Sequence, residues 1–197
     1  MKITGAILAG GKSSRMKFNK ALAVISGEPV FKIILDKFQL NFDETITISN
    51  EPEIYRDFGA VIYSDIYPGL GPVAGIHSAL FNARYDRVFV MGCDMPFMNM
   101  ELVSFLSDHL QDYDCVVPML DNKLQPLSAL YSKSCLPVLT GCLENDKLKL
   151  IRIFEELNHL VIPEMQLAQF GDPREIFMNV NDQTALVLAQ QIAGRYL

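Results

Sequence analysis

Residues 8–22 hold the densest chemistry in the chain. They read Leu8-Ala9-Gly10-Gly11-Lys12-Ser13-Ser14-Arg15-Met16-Lys17-Phe18-Asn19-Lys20-Ala21-Leu22. Gly10, Gly11, Ser13 and Ser14 let a backbone curl its N–H groups around phosphate oxygens. Lys12, Arg15, Lys17 and Lys20 supply cations in the same stretch. The first 27 residues contain no Asp or Glu, although the chain has 23 of them and a net charge of −6. An acidic protein with one basic, glycine-rich segment points to a specific anion site. A solvated lysine-rich loop is the plainer account, and the interleaved glycines and serines count against it.

Asp94 is the second candidate. It follows the apolar run Val88-Phe89-Val90-Met91, within Gly92-Cys93-Asp94-Met95-Pro96-Phe97. A hard carboxylate beside a phosphate loop suits Mg²⁺. The same residue also suits a turn before Asn99. Asn179 and Asn181 flank Val180 and share one face if the segment is extended. Such a pair serves equally as turn or helix-cap residues. The run Ala6-Ile7-Leu8-Ala9-Gly10-Gly11-Lys12-Ser13 also fits a relaxed phosphate-loop pattern of NTPases. That fit is poor: Ile7-Leu8 continue a strand, and a helix from Lys12 would find only Met16 and Phe18 to bury. No Ser-His-Asp or Cys-His arrangement suggests a covalent nucleophile.

These residues need elements to hold them. Ile3 to Leu8 reads as a buried strand that opens into Ala9-Gly10-Gly11. Ala21 to Ile25 is a short apolar stretch closed by the turn Ser26-Gly27-Glu28. Pro29 then suits a first helical position, and Val30, Ile33, Ile34 and Phe38 follow a helical period. Thr45–Ile48, Ala60–Tyr63, Arg87–Met91, Cys115–Val117, Leu127–Tyr131 and Leu160–Ile162 read as strands. Helices are expected over 52–58, 76–83, from Asn99, over 134–143 and 148–158, and from an Asn181 or Asp182 cap to about Gln191. Ser64 to Gly75 reads as a turn-rich loop.

Strands alternate with helices through the first 120 residues. That pattern predicts an α/β fold, a mainly parallel sheet with helices on both faces. Ligands of such sheets sit beyond the carboxyl ends of the strands. The loops 9–20, 64–75 and 92–97 should therefore share one rim. A single domain over 1–197 is expected, in two halves: 1–117 with the anion loop, and 118–197 with weaker alternation, room for a second substrate and the C-terminal helix.

Composition excludes several classes. Half the residues are apolar and a fifth are charged, as in an ordinary globular protein. No apolar run approaches the ~20 residues of a membrane span. The start of the chain reaches its glycine loop too soon for a secretory signal, so a cytoplasmic protein is expected. Cys93, Cys115, Cys135 and Cys142 form no CxxC pair, and His77, His109 and His159 complete no zinc spacing. They read as small buried thiols in a reducing compartment. The negative charge argues against nucleic acid and anionic membranes as partners.

The whole segment from Leu8 to Leu22 resembles the signature of the nucleotidyltransferases that activate sugars, polyols and pterins. Asp65 ahead of Gly71-Pro72-Val73-Ala74-Gly75, Gly92 to Phe97, Gln125-Pro126-Leu127 leading to Ala129-Leu130-Tyr131, and Asn179-Val180-Asn181 agree in order. The combination with Gly-Pro-Val-Ala-Gly and Asn-Val-Asn is most similar to the pterin branch, the molybdenum cofactor guanylyltransferases. Lys17 and Asn19 depart from the Gly and Asp usual there, and Gln125 stands where relatives often carry His.

The resemblance implies a Rossmann-like three-layer fold and a transfer of GMP from GTP to a phosphate on Mo-molybdopterin, with pyrophosphate leaving. It implies that Leu8, Ala9, Gly10, Gly11, Asn50, Asp65 and Gly71 contact GTP. Arg15 and Lys20 would neutralise the phosphates, and Asp94 would hold Mg²⁺ or Mn²⁺. Gly75, Asn179 and Asn181 would face the acceptor. Molybdenum-insertion or cofactor-chaperone proteins are expected partners. A CTP-using cytidylyltransferase of the same fold, a phosphate-loop NTPase or kinase and a non-catalytic GTP sensor stay as alternatives.

Overall fold

The computed structural model describes residues 2–10 and 20–197. Ten strands and nine α-helices occur among the described residues. The strands are β1 (Ile3–Leu8), β2 (Val24–Ile25), β3 (Glu28–Pro29), β4 (Glu44–Ile48), β5 (Ile62–Tyr63), β6 (Arg87–Gly92), β7 (Cys115–Leu120), β8 (Lys123–Leu124), β9 (Ser128–Ser132) and β10 (His159–Ile162). The helices are α1 (Val30–Asn41), α2 (Pro52–Tyr55), α3 (Gly71–Asn82), α4 (Met100–Asp108), α5 (Leu136–Glu144), α6 (Leu150–Ile153), α7 (Glu164–Leu167), α8 (Pro173–Ile176) and α9 (Gln183–Ile192).

The main sheet runs β10-β7-β9-β6-β1-β4-β5, with β8 paired to β7. β5, β4, β1 and β6 are mutually parallel, and β10 is parallel to β7. β9 runs antiparallel between β6 and β7. The expected mainly parallel sheet is therefore present, with two reversed strands, β9 within it and β8 beside β7, that hydrophobic patterning does not reveal.

Alternate side chains of each strand feed two cores. Ile3 and Ile7 of β1, with Phe89 and Met91 of β6, join α1, α4 and α9 on one face. Ala6, Val88 and Val90 join α3 and α5 on the other. This three-layer arrangement buries both faces of the sheet, as parallel strands require. Gly5 is fixed by packing, because a Cβ there would stand 2.4 Å from Phe42 Cδ2 and 2.7 Å from Phe38 Cδ2. The rings of Phe38, Phe42 and Phe89 close over that gap.

Some expected boundaries move. Pro29 is not the first helical residue; it is the extended cap before Val30, with ψ of 140°. The helix expected from Ile76 starts at Gly71, because Pro72 in the first turn suits a helix whose first N–H groups have no partner. The stretch expected as a helix over 148–158 is the short α6 followed by a 3₁₀ turn at Phe154–Glu156. Asp182, not Asn181, caps α9 by accepting from the Ala185 N–H. The β7–β8 hairpin, α7 and α8 add to the elements expected. The hairpin turns at Asp121 and Asn122, both with positive φ.

Candidate functional site

The chain order places the site. From β1 the sheet grows through β4 to β5 on one side, and then returns to β6 on the other. The two directions part between β1 and β6, and the crevice beyond their carboxyl ends is the topological switch point where α/β sheets bind ligands. Leu8 lies level with Ile48 and Gly92, and Ile48 with Tyr63. The Ala9 N–H donates to Ile48 O (2.9 Å), Cys93 N–H to Leu8 O (3.1 Å) and Ser49 N–H to Tyr63 O (2.9 Å). The described parts of the three expected loops thus leave one rim together. Gly11, Lys12, Arg15, Lys17 and Asn19 lie outside the described residues, as does the Lys20 side chain.

Leu8 and Ala9 are covered, and Gly10 is exposed. Among the described residues, a Cβ on Gly10 would meet nothing within 4 Å. Its backbone is open to a ligand. Gly75 is not at the surface: it is buried in α3, and a Cβ there would come 3.2 Å from Leu8 Cδ1. The structure gives it the task of letting α3 lie close on the end of β1, and it presents no face to an acceptor. Gly71 is exposed and has φ of 70°, a backbone conformation that disfavours any residue with a Cβ.

Asn50 and Asp65 meet across the ends of β4 and β5. Asn50 Nδ2 donates to Asp65 Oδ2 (2.8 Å), and the Asp65 N–H donates back to Asn50 Oδ1 (3.0 Å). Asp65 Oδ1 is buried and has no partner among the described residues. Burial pushes the Asp65 carboxyl up from its ordinary value, and the bond from Asn50 partly offsets this. A buried acceptor left unpaired costs free energy unless something fills it. The oxygen therefore suits a ligand N–H or O–H at the rim.

Asp94 is half-buried at the end of β6. Gly92 makes room for it, since a Cβ on Gly92 would stand 2.9 Å from Asp94 Oδ1. Its carbonyl accepts from the Val180 N–H at 2.8 Å. That bond brings the Asn179–Asn181 segment to the same rim, with Val180 buried and both asparagines exposed. Asn179 Nδ2 donates to Phe177 O at 3.3 Å. Met95 S accepts from Ser128 Oγ, and Gly92 N–H donates to Leu127 O. The Gln125-Pro126-Leu127 segment is held by Tyr131 O–H, which donates to Pro126 O, and by Gln125 N–H, which donates to Pro118 O.

No three His, Cys, Asp or Glu side chains gather into a metal cluster among the described residues. A single hard carboxylate on a rim still fits Mg²⁺, which takes one or two carboxylates and fills its sphere with phosphates and water. Each histidine has one ring nitrogen engaged by the protein. His77 contacts Thr140 Oγ1, His109 contacts Phe105 O, and His159 contacts Leu157 O. Burial also pushes His77 down, toward the neutral form. Cys115 is no nucleophile, as its hydrogen bond with Cys135 and its burial hold it as a thiol. The described rim therefore offers positioning and charge, and no acid–base pair.

The MobA-like NTP transferase domain matches residues 5–160. The chain belongs to this family. As a MobA-like NTP transferase it is an enzyme of the nucleotidyltransferase class. It is 39% identical over 183 residues to a protein of Clostridium perfringens named as a probable molybdenum cofactor guanylyltransferase, covering 92% of each chain. The transferase also resembles the crystal structure of molybdopterin-guanine dinucleotide biosynthesis protein A from Archaeoglobus fulgidus, with a TM-score of 0.85 and 25% identity over 98% of this chain and 99% of that one. The 2-C-methyl-D-erythritol 4-phosphate cytidylyltransferase of Thermus thermophilus shares the fold, at a TM-score of 0.70 and 15% identity over 96% of this chain and 98% of that one. No helix among the described residues is long and apolar enough to cross a membrane.

Sequence reasoning missed three features of the site. It gave no role to Gly92, did not see the Val180–Asp94 bond, and passed over Lys37, whose Nζ reaches the loop beyond Asp94. Only Gly92 carried a local signal, as a glycine directly after an apolar strand.

Proposed function

We propose that this enzyme transfers GMP from GTP to the terminal phosphate of a molybdopterin, releasing pyrophosphate and a guanine dinucleotide. One observation carries the nucleotide side. The Asn50–Asp65 pair holds, beyond the ends of β4 and β5, a buried carboxylate oxygen with no partner among the described residues. Guanine presents adjacent N–H donors on one edge, and ribose presents hydroxyls. Either meets that acceptor, while Gly10 gives the base an open backbone. The names of the relatives support guanine over cytosine.

The acceptor phosphate is already ionised at neutral pH, so its oxygen attacks the α-phosphorus in line without a side-chain base. This agrees with a rim whose described residues offer no acid–base pair. Asn179 and Asn181, exposed beside Asp94, orient the acceptor. Arg15 and Lys20 neutralise the phosphates and the departing pyrophosphate through charge-assisted contacts. Asp94 holds Mg²⁺, which when bound screens the charge of the leaving pyrophosphate. Catalysis then rests on alignment and charge neutralisation.

The test is product analysis. The protein is incubated with each NTP, Mg²⁺ and molybdopterin. A guanine dinucleotide and pyrophosphate from GTP alone is the expected result. Release of GDP and phosphate would assign a γ-phosphate chemistry instead. Efficient use of CTP would shift the assignment to a cytidylyltransferase.

A further inference from the structure

Lys37 lies in the middle of α1, far in sequence from every residue of the site. Its Nζ donates to Pro96 O at 3.0 Å and to Met98 O at 3.3 Å. No carboxylate pairs with it among the described residues. Burial pushes its ammonium down from the ordinary lysine value. Ile25, Ile33, Leu40 and Tyr196 line the groove around its stem, together with the polar Ser26, Glu28 and Asn41. An apolar side chain would fill such a groove without the cost of desolvating a charge. Carrying a lysine there, with two carbonyls as its only polar partners among the described residues, therefore calls for a reason outside packing.

The two carbonyls supply that reason. They belong to the irregular stretch between β6 and α4, where no strand or helix pairs the backbone. Asp94 opens this stretch. On its other side Asp94 is tied down by its own carbonyl, which accepts from Val180. A carboxylate that must meet phosphates and a metal within a fraction of an ångström needs its backbone held on both sides. Charge-assisted bonds are the strong way to do this.

We propose that Lys37 is a positioning residue for Asp94, clamping the 96–98 backbone from α1 so that the Asp94 carboxylate is held ready for metal and phosphate. This rests on the reading of Asp94 as the metal-facing group. It touches neither substrate and takes part in no bond-making step.

The experiment compares Lys37→Met, which keeps the stem and removes the charge, with Lys37→Arg and Asp94→Asn. In Lys37→Met the Mg²⁺ concentration for half-maximal rate should rise about tenfold, while KM for GTP stays within about twofold. Lys37→Arg should restore most of the Mg²⁺ response. In the metal-free protein, amide exchange at Met95, Phe97 and Met98 should quicken about tenfold in Lys37→Met, with β1 and β4 unchanged. A lowered melting temperature with wild-type Mg²⁺ response and wild-type exchange would make Lys37 a packing residue and overturn the proposal. Should Lys37→Met fail to fold, Lys37→Gln is read by the same three measurements. Full activity in Asp94→Asn would overturn the reading of Asp94 itself. Loss of activity there, beside an unchanged Mg²⁺ curve in Lys37→Met, would overturn the role of Lys37 alone.

Discussion

Asp65→Asn replaces one oxygen by nitrogen at a residue whose two oxygens have different surroundings. Oδ2 already accepts from Asn50 at 2.8 Å, and Oδ1 is buried with no partner among the described residues. In the variant the remaining oxygen keeps the bond from Asn50, and the new NH₂ takes the open position. An acceptor aimed at the nucleotide becomes a donor. The lost contact is charge-assisted, worth about 1.5–3 kcal/mol, which is roughly a 10- to 100-fold fall in kcat/KM for GTP. Stability should move the other way. The folded state raises the Asp65 pKa, so it binds a proton more tightly than the unfolded chain and loses stability as pH rises from 3.8 through that raised value. Asparagine has no such loss. Its melting temperature should equal or exceed that of the wild type at pH 7, and the difference should vanish at low pH. Steady-state kinetics with GTP and thermal melts at two pH values measure both effects. A variant with wild-type kcat/KM would refute the reasoning, since the open oxygen would then face no part of the nucleotide.

Three further substitutions separate fold from function. Gly5→Ala drives a methyl against Phe42 and Phe38; overpacking of this kind costs about 1–3 kcal/mol, so the melting temperature should fall by about 3–10 °C, and an unchanged melt would contradict the packing. Gly10→Ala adds a methyl that meets nothing among the described residues; the fold should be kept while GTP use falls more than CTP use, and equal losses would leave Gly10 a turn residue only. Asp94→Asn should stay folded and lose about 100-fold or more in turnover, with part of the rate regained at high Mg²⁺ or with Mn²⁺. Wild-type turnover at ordinary Mg²⁺ would return Asp94 to a turn residue.

Much of this architecture could be read from apolar patterning. Val88–Met91 is a continuous apolar run, and Ile3–Leu8 is one but for Thr4; such runs mark strands buried on both faces. Their glycine-bearing ends predicted a common rim. The direction of β9 could not be read, because alternation along a strand is the same whichever way the strand runs. The start of α3 was lost because Gly69, Gly71 and two prolines signal turns, although a proline also opens helices. The site was legible in its parts and not in its connections. Asn50 and Asp65 were each picked out through resemblance, yet nothing in the sequence couples them. Lys37 drew no notice in the sequence, because its importance lies in two backbone carbonyls that composition cannot show.

The Val180–Asp94 hydrogen bond ties the two halves of the enzyme's life history together. All the described residues assigned to the nucleotide, from Leu8 to Asp94, leave the ribosome before Val180 does. A polypeptide interrupted before Met178 contains every one of them, and the strands β5, β4, β1 and β6 that carry them. It still leaves the Asp94 carbonyl without its amide and an unfilled place in the core where Val180 belongs. The rim around Asp94 is thereby finished only when the 179–181 segment arrives, so an interrupted chain carries the residues proposed for the nucleotide without the brace on Asp94.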